Sequence, residues 1–307
     1  MDKHLYDCII IGAGPAGLGA AIYAARAGFD VLLLEKTTIP GGQIINTTDV
    51  DNYLGLPGIG GFELGATFAK HAESLGIVTT SDEVKGISVH ENIKSVECVG
   101  DSYDARTIIL AMGAHHSMLG VHGEKEYVGR GVSYCATCDG AFFRKKTVLV
   151  VGGGDVAVSD ALFLSRMCEK VYLVHRRDEL RAAQALQDAL LTKENVTVIW
   201  NSTVQEIVGD EMVTSVVIHN AMTNTDSKLD VSGVFVAVGM EPETEIVKDL
   251  VELDAKGYVA AGEDCKTNVP GIFAAGDIRT KALRQVITAV ADGACAITSA
   301  SEYLRSI

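Results

Sequence analysis

Tyr6-Asp-Cys-Ile-Ile-Ile-Gly12-Ala-Gly14-Pro15-Ala16-Gly17 decides the reading of this chain. An apolar, β-type run enters a G-x-G-x-x-G turn, and an Ala-rich helical stretch follows to about Ala27. A second strand, Val31–Leu34, ends at Glu35. Strand, glycine turn, helix and strand in this order predict a βαβ unit. The N-terminus of its helix offers free N–H groups and a favourable dipole to a pyrophosphate. The uncharged stretch from Cys8 to Ala25 is therefore read as strand, turn and helix, not as a signal peptide or a membrane span.

The pattern occurs twice. Thr147–Val151 leads into Gly152-Gly-Gly154-Asp155-Val156-Ala157, a helical stretch runs to about Cys168, and a strand Val171–Val174 ends at His175. Each copy places its strand-end residue 23 positions after its first glycine. A lone G-x-G-x-x-G is weak evidence for a nucleotide site. Duplication at one spacing, in strand–turn–helix–strand context, makes it strong.

The two strand ends differ in charge. Glu35 can accept hydrogen bonds from ribose hydroxyls and would repel a 2′-phosphate, which suits FAD or NAD. His175-Arg176-Arg177, with Arg181 one helical turn on, offers forks that match phosphate oxygens, which suits NADPH. A solvated basic helix start is the alternative. Pro40-Gly41-Gly42-Gln43 follows Glu35 closely enough to reach the same ligand. Gly276-Asp277 ends an apolar run that begins at Gly271, and Arg284-Gln285-Val286 opens the next helix. Asp277 could bind ribityl hydroxyls of a flavin or could equally cap a helix.

Composition narrows the function classes. With 48% hydrophobic and 21% charged residues in 307, the chain is ordinary globular material and long enough for two domains. A net charge of −14 leaves no basic footprint for nucleic acid. Of seven cysteines, Cys8, Cys98, Cys168, Cys265 and Cys295 are scattered singly, which fits a reducing compartment such as the cytoplasm.

The remaining two form Cys135-Ala-Thr-Cys138, followed by Asp139. A C-x-x-C pair can close a small disulfide ring and activate one of its thiols. Structural zinc would need two more ligands at matching spacing; no second C-x-x-C exists, and His115-His116 are adjacent. Asp139 is either a general acid for a leaving thiolate or a plain Asp-Gly turn residue.

If Glu35 and Asp277 serve one cofactor, the first domain is discontinuous. The expected layout is 1–115 and 245–307 for that domain, with 116–244 inserted. Ile108–Gly113 and Val234–Gly239 are similar apolar runs ending in Gly, and both lie near the proposed crossings.

Taken together, these motifs resemble the low-molecular-weight thioredoxin reductases, FAD- and NADPH-dependent pyridine nucleotide-disulfide oxidoreductases. The match keeps family order over nearly the whole chain, and Cys-Ala-Thr-Cys-Asp before a second glycine-rich strand is its most specific element. The resemblance implies an α/β fold of two Rossmann-like dinucleotide-binding domains, the NADPH domain inserted into a discontinuous FAD domain, usually as a homodimer. It implies FAD contacts from Gly12, Gly14, Pro15, Ala16, Glu35, Gly41, Gly42, Gln43, Asn52, Met112, Gly113, Gly276, Asp277, Arg284, Gln285 and Val286. It implies NADPH contacts from Gly152, Gly154, Asp155, Val156, Ala157, His175, Arg176, Arg177, Arg181 and Gly239. Cys138 would face the flavin, Cys135 would attack thioredoxin, and Asp139 would donate the proton. The inserted domain would rotate so that nicotinamide and disulfide meet one flavin in turn.

Two departures lie near the NADPH motif. The family's Ser-Ala with paired Glu is replaced by Val156-Ala157-Val158-Ser159-Asp160, and Leu180 stands where Phe is common. A ferredoxin-dependent reductase or a dithiol oxidase would share the FAD site and the disulfide, but Gly152–Gly154 and the arginines argue for NADPH. A non-turning-over redox sensor that holds FAD is the reading from another class.

Overall fold

The computed structural model describes residues 4–47 and 50–307. Along the chain lie β1 (Leu5–Ile11), α1 (Pro15–Arg26), β2 (Val31–Glu35), α2 (Gly61–Ser74), β3 (Thr79–Ser81), β4 (Val84–His90), β5 (Ile93–Cys98), β6 (Ser102–Leu110) and β7 (Ala114–His116). Next come β8 (Val132–Ser133), the short α3 (Ala136–Asp139), β9 (Thr147–Val151), α4 (Asp155–Ser165), β10 (Lys170–Val174), α5 (Gln184–Leu191) and β11 (Val196–Ile199). The chain ends with β12 (Ser202–Gly209), β13 (Val213–Asn220), β14 (Thr225–Asp230), β15 (Gly233–Val236), β16 (Met240–Pro242), β17 (Ile272–Ala274) and α6 (Val286–Leu304). These elements divide into two compact units, Met1–His115 with Glu241–Ile307, and His116–Met240.

The first unit is built on a sheet ordered β3-β2-β1-β6-β5-β4. Ile9, Ile10 and Ile11 are buried, as a central parallel strand covered on both faces requires. β6 is the pivot. One edge pairs with β1; the other pairs with β5 along its first half and with β17 along its second, in register Ile108↔Ile272 and Leu110↔Ala274. The C-terminal segment therefore completes a sheet begun at the N-terminus.

Small residues close the helical layer. Ala16, Gly17, Ala20, Ala21 and Ala24 of α1 are buried, and α6 lies against them. A Cβ on Gly293 would run into Ala16 O and would come within 2.6 Å of Ala20 N. The two helix backbones approach as closely as glycine permits.

In the second unit a parallel sheet runs β11-β10-β9-β15-β8. Val148, Val150 and Leu173 join Ala157, Ala161 and Leu164 of α4 in a core on one face. On the other face Leu149, Val151 and Val236 pack with Val204, Val216 and Ile218 of an antiparallel sheet, β12-β13-β14.

The chain leaves the first unit after His115 and returns at Glu241, earlier than the 245 expected from sequence. Residues 241–244 are held by the first unit: Glu243 N–H donates to Gly113 O at 3.0 Å, and Thr244 Oγ1 donates to Gly257 O at 2.9 Å. Two local expectations also shift. The helix after the second glycine turn stops at Ser165 rather than near Cys168. Residues 176–183 do not start a helix, because Arg181 N–H and Ala183 N–H bond Gly153 O and Asp155 Oδ1.

The α1–α6 contact makes a sharp prediction. Gly293→Val should destabilise the protein by about 3 kcal/mol or more through overpacking. Gly19→Ala, whose Cβ would meet Val290 O at 3.0 Å, should cost less. Urea unfolding midpoints of the two variants check this; equal midpoints would contradict the packing described.

Candidate active site

The first cradle forms where β1 hands over to α1. Gly12 has φ +103°, and a Cβ there would come within 2.5 Å of Ala111 O, so only glycine fits this turn. α1 then starts at Pro15 with no acidic residue in its first turn, leaving its N-terminus open to an anion. Gly41 N–H donates to Ala13 O at 2.8 Å, and a Cβ on Gly42 would lie 3.0 Å from Gly14 Cα. The Gly41-Gly42 segment thus closes onto the first glycine turn.

Glu35 is buried at the end of β2. Its Oε2 accepts from Ala13 N–H at 2.8 Å; its Oε1 accepts from Thr37 N–H at 3.0 Å and Thr37 Oγ1 at 3.1 Å. A carboxylate has about four acceptor positions, so capacity for a ribose hydroxyl remains. Asn52 Nδ2 donates to Gln285 Oε1 at 2.8 Å, joining two site candidates far apart in sequence. Gln285 caps α6 through a reciprocal pair with Thr288, and Val286 opens the helix. Met112 packs at the edge of the sheet core, followed by Gly113 at φ +76°.

Asp277 does not cap a helix. It sits in a 3-10 turn, Gly276–Ile278, and its buried Oδ1 has no hydrogen-bond partner among the described residues. Burial raises its pKa. Arg284 lies over the Tyr258 ring at 3.9 Å, and its Nε donates to Asp277 O at 3.3 Å.

A charge cluster fixes this strand end. Asp292 receives a bidentate pair from Arg279 at 2.9 and 2.7 Å, Lys281 Nζ at 2.8 Å and Gly276 N–H at 2.9 Å. Burial pushes the Asp292 carboxyl up, but the hydrogen bonds from Arg279 and Lys281 hold it below its ordinary value. The sequence reading missed all three residues, because polar groups so far apart along the chain show no local pattern.

The second cradle repeats the first with different chemistry. Gly152 has φ +151°, and a Cβ there would meet Ala237 O. Gly154 precedes α4 with open space beside it, and Asp155 Oδ1 accepts from Ala183 N–H at 2.7 Å. Val156 is exposed and Ala157 buried. The His175 ring covers Gly153 so closely that no Cβ would fit between them. His175 is buried, and its pKa is lowered by burial and by Arg181. Its Nε2 has no hydrogen-bond partner among the described residues. Arg176, Arg177 and Arg181 are exposed, and among the described residues no carboxylate lies within ion-pair distance of them. Gly239, at φ +143°, ends the run after β15.

The redox pair lies in this same unit. Cys135 and Cys138 form a disulfide with Cα atoms 5.3 Å apart. Cys138 N–H donates to Cys135 Sγ at 3.2 Å, and Thr137 Oγ1 is 3.4 Å from the same sulfur. Ser133 Oγ donates to Asp139 Oδ2 at 2.6 Å. On the other side Tyr134 OH donates to Glu124 Oε1 at 2.9 Å, and the Tyr134 ring stacks on His116. Glu124, fully buried, also accepts from Leu119 and Gly120 N–H groups at 2.9 and 2.7 Å. By contrast, burial pushes Cys8 and Cys265 to about 12 and Cys98 and Cys168 to about 11, so these thiols stay protonated and inert.

Comparison with known proteins gives a consistent answer. A family model described as pyridine nucleotide-disulphide oxidoreductase matches residues 6–293. The chain is 46% identical to a thioredoxin reductase of Listeria innocua, covering 100% of this chain and 96% of that one. It is 43% identical to a thioredoxin reductase of Bacillus subtilis, over 100% and 97% of the two chains. The crystal structure of thioredoxin reductase from Streptococcus pyogenes matches with a TM-score of 0.94 at 45% identity, over 100% of both chains.

One departure in the second cradle has a pH signature. Asp160 on α4 is pushed by burial from 3.8 to about 7. A carboxyl with a raised folded-state pKa contributes its stability below its unfolded pKa, and that contribution is lost as pH rises through the folded value. Asp160→Asn should therefore raise Tm at pH 8 and leave it nearly unchanged at pH 4. A gain of equal size at both pH values would contradict this.

Proposed function

The chain belongs to the pyridine nucleotide-disulphide oxidoreductase family, and from that premise we propose that it is an NADPH-dependent thioredoxin-disulfide reductase. The observation that carries the reading is the Cys135–Cys138 disulfide in the same unit as a glycine cradle flanked by exposed arginines.

The first cradle fits FAD. The spare acceptor position on Glu35 suits a ribose hydroxyl, and Asp277 Oδ1, without a partner among the described residues, suits a ribityl hydroxyl. Gly12, Gly14, Pro15 and Ala16 would face the pyrophosphate; Gly41, Gly42, Gln43, Asn52, Met112, Gly113, Gly276, Arg284, Gln285 and Val286 would complete the site. The second cradle fits NADPH: Gly152, Gly154, Asp155, Val156, Ala157 and Gly239 line the turn, and His175, Arg176, Arg177 and Arg181 surround the expected 2′-phosphate. FAD, when bound, supplies a two-electron carrier between a nicotinamide and a disulfide.

The chain's own residues do the rest. Two electrons and two protons open the Cys135–Cys138 bond to two thiols. The N–H of Cys138 pointing at Cys135 Sγ favours the thiolate on Cys135, which suits it to attack an incoming disulfide. Cys138 then attacks Cys135 Sγ, re-forming the internal disulfide and releasing the partner as a dithiol. Asp139 supplies a proton to the partner sulfur displaced by Cys135, and the proton given up by Cys138 goes to the second partner sulfur. Nicotinamide cradle and disulfide share one unit while the flavin cradle belongs to the other, so the inserted unit alternates between two arrangements during turnover. Thioredoxin is the partner that a surface dithiol of this kind would serve, in a reducing cytoplasm and as a homodimer.

Cys135→Ser and Cys138→Ser should each lower NADPH-dependent reduction of thioredoxin by at least about a thousandfold. NADPH should still bleach the flavin of both variants. A folded variant whose flavin no longer responds to NADPH would overturn the assigned roles. Arg176→Ala with Arg177→Ala should raise the KM for NADPH by about tenfold or more, as loss of charge-assisted bonds implies. The KM for NADH should hardly move; equal effects on both would overturn the 2′-phosphate assignment.

A further inference from the structure

Ser133 is the last residue of β8 and stands next to the redox pair without being part of it. It is buried, and β8 pairs Ser133 with Phe235 of β15, so its backbone is fixed by the sheet. Its hydroxyl has one proton to donate and can accept as well. The oxygen accepts from Cys135 N–H at 3.1 Å, and the proton goes to Asp139 Oδ2 at 2.6 Å in preference to Cys135 O at 3.3 Å. One side chain thus links the backbone of the attacking cysteine to the carboxyl of the proton donor.

We propose that Ser133 is the positioning residue for proton delivery in disulfide exchange, holding the Asp139 carboxyl in register with Cys135. The proposal rests on the roles given above to Cys135 and Asp139. In the step concerned, the Cys135 thiolate forms a bond to one sulfur of the incoming disulfide. The old sulfur–sulfur bond breaks, its electron pair leaves on the second sulfur, and that sulfur takes the proton from Asp139. The Ser133 hydroxyl is directed at Oδ2 while Asp139 holds the transferable proton. Once it has gone, the hydroxyl donates to a carboxylate, and such O–H···O⁻ bonds are stronger than their neutral counterparts. Ser133 therefore stabilises Asp139 more after proton transfer than before it.

The test is single-turnover exchange of the pre-reduced holoenzyme with an oxidised thioredoxin, followed by rapid quench of the thioredoxin thiols. Ser133→Ala should slow exchange about tenfold, the effect of one hydrogen bond to a charged group. Ser133→Thr and Ser133→Val, equal in shape, separate the hydroxyl from packing: Thr should stay within about threefold of wild type and Val should be about tenfold slower than Thr. In an Asp139→Ala background, Ser133→Ala should cause no further loss. An unchanged rate in Ser133→Ala, equal rates for Thr and Val, or the same tenfold loss without Asp139 would each overturn the proposal. If Ser133→Ala fails to hold its flavin, the Thr and Val pair decides. A wild-type rate in Asp139→Ala alone would instead overturn the underlying role of Asp139. A slow Asp139→Ala with a fast Ser133→Ala would overturn Ser133 only.

Discussion

The contact between α1 and α6 is the constraint on which much of the molecule depends. α1 leaves the first glycine turn carrying alanine and glycine on its buried face, and it needs a partner that can approach its backbone directly. That partner lies at the other end of the chain, where Gly293 admits the close approach. β17 adds the matching strand on the free half of β6. The first unit cannot be completed until residues 272–304 return, so everything between the two crossings is an insertion. A nucleotide cradle and a disulfide carried on such an insertion travel together. That coupling underlies the proposed alternation between half-reactions.

The two cradles show how one backbone solution is retuned by side chains. Both use a left-handed glycine at the strand end and a helix N-terminus beyond it. In the first, Glu35 ties the turn to Thr37 through hydrogen bonds and brings a negative charge. In the second, the His175 ring lies on Gly153, and three exposed arginines follow, with no carboxylate among the described residues within ion-pair distance. A carboxylate favours hydroxyls, and free guanidinium groups favour phosphate. The difference lies in one strand-end residue and its neighbours, at the same spacing from the first glycine.

Much of this was legible in the sequence because the governing interactions are local. The strands expected at Tyr6, Val31, Thr147 and Val171 follow from apolar runs bounded by glycine, and the C-x-x-C spacing allowed the disulfide that Cys135 and Cys138 form. What escaped is long-range. The second crossing at Glu241 is set by Gly113 and Gly257, which no local pattern around 241–245 reveals. The irregular 176–183 segment looks like a helix start, until its N–H groups are taken by Gly153 and Asp155. The Asp292–Arg279–Lys281 cluster behind Gly276, and the Ser133 link between Cys135 and Asp139, exist only once the sheets bring them together.

The central claim is that electrons from NADPH arrive at Cys135 and Cys138. The most direct measurement mixes the oxidised holoprotein anaerobically with one equivalent of NADPH, traps thiols with an alkylating reagent and locates the labels by mass. The account predicts new labels at Cys135 and Cys138, far fewer with NADH, and no change at buried Cys8, Cys98, Cys168 or Cys265. A flavin bleached by NADPH with neither Cys135 nor Cys138 labelled would contradict it.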